Sequence, residues 1–166
     1  MASKHKNEFE SFISDIVLNK EFNRLNKERH HGITRYEHSM RVAKYTYKVC
    51  RKIKSSRIRE ATRAALLHDF FENEELKGNK SFRMLNLHPN VALKNSKKYY
   101  KLDKVQEDII VKHMFPLTLS LPKYKETWIV SLVDKIVSSY EMIRFKLPLY
   151  TSMYLLFLIQ FLTVPR

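Results

Sequence analysis

Asp134 stands in the run Trp128-Ile-Val-Ser-Leu-Val-Asp-Lys-Ile-Val, and its neighbours at helical spacing are Val130, Ser131, Val137 and Ser138. A carboxylate on such a packed face costs several kcal/mol unless a metal, a cation or several donors meet it. His68-Asp69 interrupts Ala-Ala-Leu-Leu-His-Asp-Phe-Phe in the same way, and His113 follows Ile109, Ile110 and Val111 on another apolar stripe. Taken singly, each is an ordinary feature: a hydrogen-bonded core histidine, or an aspartate in a cap or salt bridge. Together with His38 and His88 they form a set of four imidazoles and two carboxylates on separate segments. Such ligands suit Fe, Mn, Zn, Mg or Ni rather than a thiolate metal. Adjacent His68 and Asp69 can face one site from a helix end, and a carboxylate has two oxygens with which to bridge two ions. The residue types alone lead to a metal site.

The elements that must position these side chains are helices. The chain has 166 residues, which as a prior means one domain with at most a short appendage. Its apolar fraction of 44%, with 12% aromatics, is too high for a disordered chain. Two glycines and five prolines are too few for a turn-rich β architecture or a glycine-rich phosphate loop. No Gly or Pro falls from Ile33 to Lys77 or from Lys123 to Leu147, as helices require, since Gly costs about 1 and Pro about 3 kcal/mol in a helix interior. The spacing predicts helices over Asn7–Asn19, a short piece at Lys20–Arg29, Tyr36–Ile53 capped by Thr34, Ser56–Glu72, Lys104–His113 and Lys125–Phe145. His30-His31-Gly32 reads as a turn. Residues 73–90 read as a loop broken by Gly78, with Pro89 in the first turn of a helix through Lys98.

The ordered residues resemble the HD-domain superfamily of metal-dependent phosphohydrolases. Its signature of His, then His-Asp, then Asp is matched by Glu37-His38-Ser39, Leu67-His68-Asp69 and Val133-Asp134-Lys135. Leu87-His88-Pro89 and Lys112-His113-Met114 match the subgroup with six ligands and two metals. The resemblance covers roughly residues 7 to 145 and is nearest to small bacterial HD proteins sharing His30-His31-Gly32 and His113-Met114-Phe115-Pro116-Leu117. It implies an all-α helical bundle, with an HD domain over residues 1–146, and the uncharged run beyond it reads as a separate apolar helix or tail over 147–166. It also implies that His38, His68, Asp69 and Asp134 hold a first divalent metal, with Asp69 bridging to a second on His88 and His113. Between two such cations water becomes acidic enough to supply hydroxide for in-line attack on phosphorus. One departure matters: His68-Asp69-Phe70-Phe71-Glu72 follows the nucleotidase branch, whose Glu assists proton transfer and which works with one metal. Both one and two ions therefore stay open, with Asp69, Glu72 and Lys135 as candidate catalytic residues.

Phosphate contacts are expected from Lys135, from Arg41 one helical turn beyond His38, and from His31 near the pocket mouth. With 31 Lys and Arg against 17 Asp and Glu, the chain carries +14 and would steer anions toward itself. The leading expectation is hydrolysis of a nucleotide or related phosphate ester. A di-iron oxygenase of the HD type is a second reading. The third is a non-catalytic nucleotide- or nucleic-acid-binding module, for which Tyr45-Thr46-Tyr47-Lys48 and Lys97-Lys98-Tyr99-Tyr100-Lys101 offer aromatics among cations. A single cysteine, Cys50, excludes a disulfide framework and fits a reducing compartment. MASKHKNEFE has no apolar run behind its basic residues, which argues against a secretory signal and for a cytoplasmic location. Tyr150 to Val164 holds fifteen uncharged residues, short of the roughly 20 that span a bilayer. The tail is expected to pack on the core, on another copy of the chain, or at a membrane.

Overall fold

Two capping boxes set the start of helices that build the site. In the computed structural model, which describes residues 2–30, 32–78, 81–146 and 152, Thr34 Oγ1 accepts the Glu37 N–H at 3.1 Å and Glu37 Oε2 accepts the Thr34 N–H at 2.9 Å. This box opens α3 (Arg35–Lys52). Asp103 and Gln106 exchange the same pair of bonds at 2.7 and 3.0 Å and open α6 (Lys104–Lys112). Each box satisfies two of the N–H groups that a helix start leaves without partners. The other long helices are α1 (Ala2–Val17), α4 (Ile58–Leu67), α5 (Ser81–Tyr99) and α7 (Lys125–Glu141), with a one-turn α2 at Lys20–Asn23. A π-helical turn, Met142–Lys146, continues α7.

The fold is all-α, as expected. Its strands among the described residues are two-residue pieces, β1 (Arg29–His30) and β2 (Ile33–Thr34), paired antiparallel with Arg29 opposite Thr34. Gly32, at φ +93°, supplies the left-handed backbone that this tight reversal needs.

Helix α3 packs on both α4 and α7, α6 packs on the same two helices, and α5 packs on α6. Close approach of α3 and α4 follows from side-chain size: Ala61, Ala64 and Ala65 are fully buried opposite Val42 and Ala43 in one core. Leu66, Leu67, Ile109, Ile110, Val130 and Val137 extend that core across α4, α6 and α7, and Ile13 and Ile16 of α1 close one side. Burying each such side chain contributes roughly 1.5–3 kcal/mol. The opposite side of α7 leaves Trp128, Leu132, Ile136 and Tyr140 exposed.

Several boundaries differ from the sequence reading, three of them near the site or by more than a turn. Helix α1 begins at Ala2 rather than Asn7. Helix α4 stops at Leu67, so His68 and Asp69 sit in the turn beyond it. Most of residues 73–90 is helical: a 3-10 turn covers Asn73–Leu76, and α5 begins at Ser81 with Pro89 inside it. The proline penalty is overridden because Pro89, Ala92, Asn95 and Ser96 are all buried. The proposed tail, residues 147–166, lies outside the described residues except for Ser152, as does His31. No described helix is long and apolar enough to cross a membrane.

Candidate metal centre

His68 and His113 are delivered by the same local device. Each occupies the C-cap of its helix, α4 and α6, in right-handed helical geometry. Each donates its Nδ1–H to the carbonyl three residues back: His68 to Ala65 at 2.7 Å, His113 to Ile110 at 2.8 Å. The bond satisfies a carbonyl that the helix end would leave unpaired. It also fixes the tautomer, so the lone pair sits on Nε2 and points away from the helix. Asp69 follows His68 in the turn, His38 comes from the second turn of α3, His88 from α5 and Asp134 from the middle of α7.

These six residues converge. His38 Nε2 lies 3.1 Å and His68 Nε2 3.6 Å from Asp134 Oδ1. His88 Nε2 and His113 Nε2 lie 3.6 and 3.7 Å from Asp69 Oδ1, and 3.1 Å from each other. Asp69 Oδ2 is 3.9 Å from His68 Nε2. The carboxylate thus turns one oxygen toward His88 and His113 and the other toward His68. Two donors each about 2.1 Å from one ion, at 90–110° to one another, lie about 3.0–3.4 Å apart. The nearest spacings match that distance and the rest are a few tenths of an ångström wider.

Two groups of ligand atoms could each hold an ion: His38, His68 and Asp134, and His68, Asp69 and His113. Within them, His68 Nε2 and Asp69 Oδ1 are fully enclosed and have no hydrogen-bond partner. A buried imidazole nitrogen and a carboxylate oxygen left this way cost free energy unless a cation meets them. The residues present fit a divalent metal.

The electrostatics are arranged around the two carboxylates. Burial pushes the Asp69 carboxyl up, but His68, His88, Arg35 and His113 outweigh it and hold the group well below the usual carboxylate range. Asp134 behaves likewise, with His38, His68 and Lys135 opposing burial. Burial, then His68 and His88, push His113 down to about 3, which leaves its imidazole neutral near pH 7. Burial works against the charged form of His38 as well, yet Asp134 and Glu141 raise it to about 9.

Glu141 and Arg35 escaped the sequence reading. Glu141 is fully buried at the last residue of α7; its Oε2 lies 2.8 Å from His38 Nδ1 and its Oε1 accepts from Arg41 Nη1 at 2.7 Å. It stands seven residues beyond Asp134, two helical turns along the same face, and that spacing was the available signal. Arg35 is buried three residues before His38, with Nη1 3.6 Å from Asp69 Oδ2 and Nη2 donating to Asn73 at 2.7 Å. Its guanidinium lies 3.8 Å over the Phe71 ring.

The remaining candidates are placed differently from the ligands. Arg41, expected on substrate phosphate, is held by Glu141, because a buried carboxylate attracts the nearest cation. Lys135 donates to Asp134 Oδ2 at 2.9 Å and to the His113 carbonyl, so it steadies the oxygen of Asp134 that faces away from the histidines. Glu72 is not brought to the cluster. It is half-buried in the loop after Phe71, 3.7 Å from Arg24 Nη1, among the surface glutamates Glu21, Glu74 and Glu75.

A search of curated proteins returned no match, and none was found among solved structures. The family model described as HD domain matches residues 35–138, a span that holds all six converging residues on α3 to α7. The chain belongs to the HD domain family.

Proposed function

We propose that the chain is a metal-dependent phosphohydrolase that acts on a nucleotide or related phosphate ester. The observation that carries this reading is the buried convergence of four imidazoles and two ionised carboxylates, with His68 Nε2 and Asp69 Oδ1 enclosed and lacking a hydrogen-bond partner. His38, His68 and Asp134 would hold one divalent ion, and Asp69, His88 and His113 a second. Ions held there supply a Lewis acid for phosphoryl oxygens and make bound water a nucleophile near neutral pH.

The chain's own residues do the positioning. Asp69 stays ionised under Arg35 and the histidines, so it is available to both halves of the cluster. Glu141 keeps the His38 Nδ1 proton and thereby turns Nε2 toward Asp134. Lys135 neutralises part of the Asp134 charge without competing for its inner oxygen. The net charge of +14 draws anionic substrates by long-range attraction.

The test is metal analysis of protein purified without air, joined to a phosphate-release screen across nucleotides in the absence of oxygen. Phosphate release that disappears in both His68→Ala and Asp69→Ala, together with their metal, is the expected result. Turnover that requires oxygen and releases no phosphate overturns the reading in favour of oxygenase chemistry.

A further inference from the structure

A cavity of about 1100 Å³ lies away from the ligand cluster, between α1 and the outward face of α3. Its wall includes the apolar groups Phe9, Met40 and Tyr45, and its rim includes Lys44, Lys48 and Lys52. Those lysines recur every four residues, so they stand about 6 Å apart along one helix face. Other charged groups in the groove are already engaged: Arg51 with Glu8, Arg41 with Glu141, Glu10 with Lys6, and Glu37 in the capping box. Lys44 and Lys52 have no ion-pair partner among the described residues. Lys48 has the Tyr45 ring, 5.3 Å from its ammonium.

The structure divides the run Tyr45-Thr46-Tyr47-Lys48. Tyr47 is buried against Phe9 and Phe12, with its hydroxyl on Glu8, whereas Tyr45 is 47% exposed. The groove thus joins an accessible aromatic face to a ladder of unneutralised cations. The chain's own residues 147–166 contain no acidic side chain, so they would leave those cations unmatched. A second copy would bring another +14. A membrane presents a flat surface to a concave one. The second run, Lys97 to Lys101, lies near Glu21, Glu72, Glu74 and Glu75, which repel anions.

We propose that the groove between α1 and α3 binds single-stranded nucleic acid, with phosphates on Lys44, Lys48 and Lys52 and a base stacked on Tyr45. Cationic tracks combined with aromatic platforms hold single strands in this way.

The experiment is fluorescence anisotropy of a fluorescein-labelled oligothymidylate 20-mer with the full chain. Lys44→Glu/Lys48→Glu/Lys52→Glu is compared with Lys94→Glu/Lys98→Glu/Lys101→Glu, which has the same net charge and changes only exposed lysines outside the groove. The groove variant is expected to lose about 100-fold in affinity and the control less than about threefold. The slope of log affinity against log salt should also fall by about 2, three contacts at roughly 0.7 each. Tyr45→Ala is expected to lose about tenfold. Circular dichroism melts should be unchanged, since every altered residue is exposed. Equal weakening in both lysine variants overturns the proposal, as does an unchanged Tyr45→Ala. Polyglutamate or phosphatidylglycerol vesicles binding as tightly as the oligonucleotide would likewise overturn it, in favour of a general acidic-surface dock.

Discussion

Glu141→Gln tests the interaction that holds His38 at Nδ1. In the parent, Oε2 meets His38 Nδ1 at 2.8 Å and Oε1 meets Arg41 at 2.7 Å, and neither Glu141 nor His38 has measurable exposure. Glutamine keeps the shape but removes the charge, and one end of its amide must present N–H groups to either His38 or Arg41. Loss of a partner that fixes a ligating histidine lowers metal affinity about 10–100-fold, equivalent to about 1.4–2.8 kcal/mol. Glu141→Ala goes further and strands a buried imidazole N–H. Removing one side of a buried charge pair costs about 3–5 kcal/mol, and the lower end applies because the Arg41 side chain, 31% exposed, can turn to water. At roughly 2–4 °C per kcal/mol for a chain of this size, Tm should fall by about 6–12 °C. The assay is a competitive chelator titration with Zn²⁺ or Mn²⁺, alongside thermal melts of metal-free protein. Parent-like metal affinity in Glu141→Gln, with only Tm lowered, would refute the orienting role and leave Glu141 as a counter-ion for Arg41.

If His88 and His113 hold a second ion, their double alanine variant should fall from about two metals per chain to about one by elemental analysis. Unchanged stoichiometry would show that they are structural. Glu72→Gln should turn over within a few-fold of the parent, because its carboxylate faces Arg24 rather than the cluster; a loss of 10²–10⁴-fold would restore the proton-transfer role expected from its place in the sequence. Asp108 pairs with Lys112 within α6 and ties that helix to the start of α7 through the Lys123 N–H and Thr127, and burial is outweighed so that its carboxyl lies below the usual range. A depressed folded-state pKa means that its stabilisation is complete above the unfolded pKa, near 3.9, and is lost as pH falls through the folded value. Asp108→Asn should therefore cost about 1.5–3 kcal/mol at pH 6 in urea melts, with the difference from the parent shrinking below pH 4. A difference that is flat with pH would contradict the ionic role of Asp108.

The all-α class and the helices that deliver His38, His68, His113 and Asp134 were legible because both arise from local pattern. Long stretches free of Gly and Pro, the Thr34 cap, and apolar stripes at helical spacing are properties of neighbouring residues. Four of the converging side chains, His68, Asp69, His113 and Asp134, were legible for a related reason: each is a polar group in an apolar run, and such a group demands a partner wherever the chain folds. Boundaries were read less well. Pro89 and Gly78 argued for a loop, and only burial against α6 decided that α5 would run through the proline.

Partners distant in sequence were beyond that reading. Only its two-turn spacing from Asp134 set Glu141 apart from a solvated helix end, since its partner His38 lies 103 positions away and meets it only when α7 packs across α3. Arg41, Lys135 and Glu72 had the residue types for catalysis and phosphate binding, but type does not say which charge a side chain will face. The sequence by itself determined the helices, the HD signature and the six metal-type residues, because spacing and hydrophobic burial are local. Tertiary structure decided which cations answer which buried carboxylates, because electrostatic pairing depends on distances between elements that only packing sets.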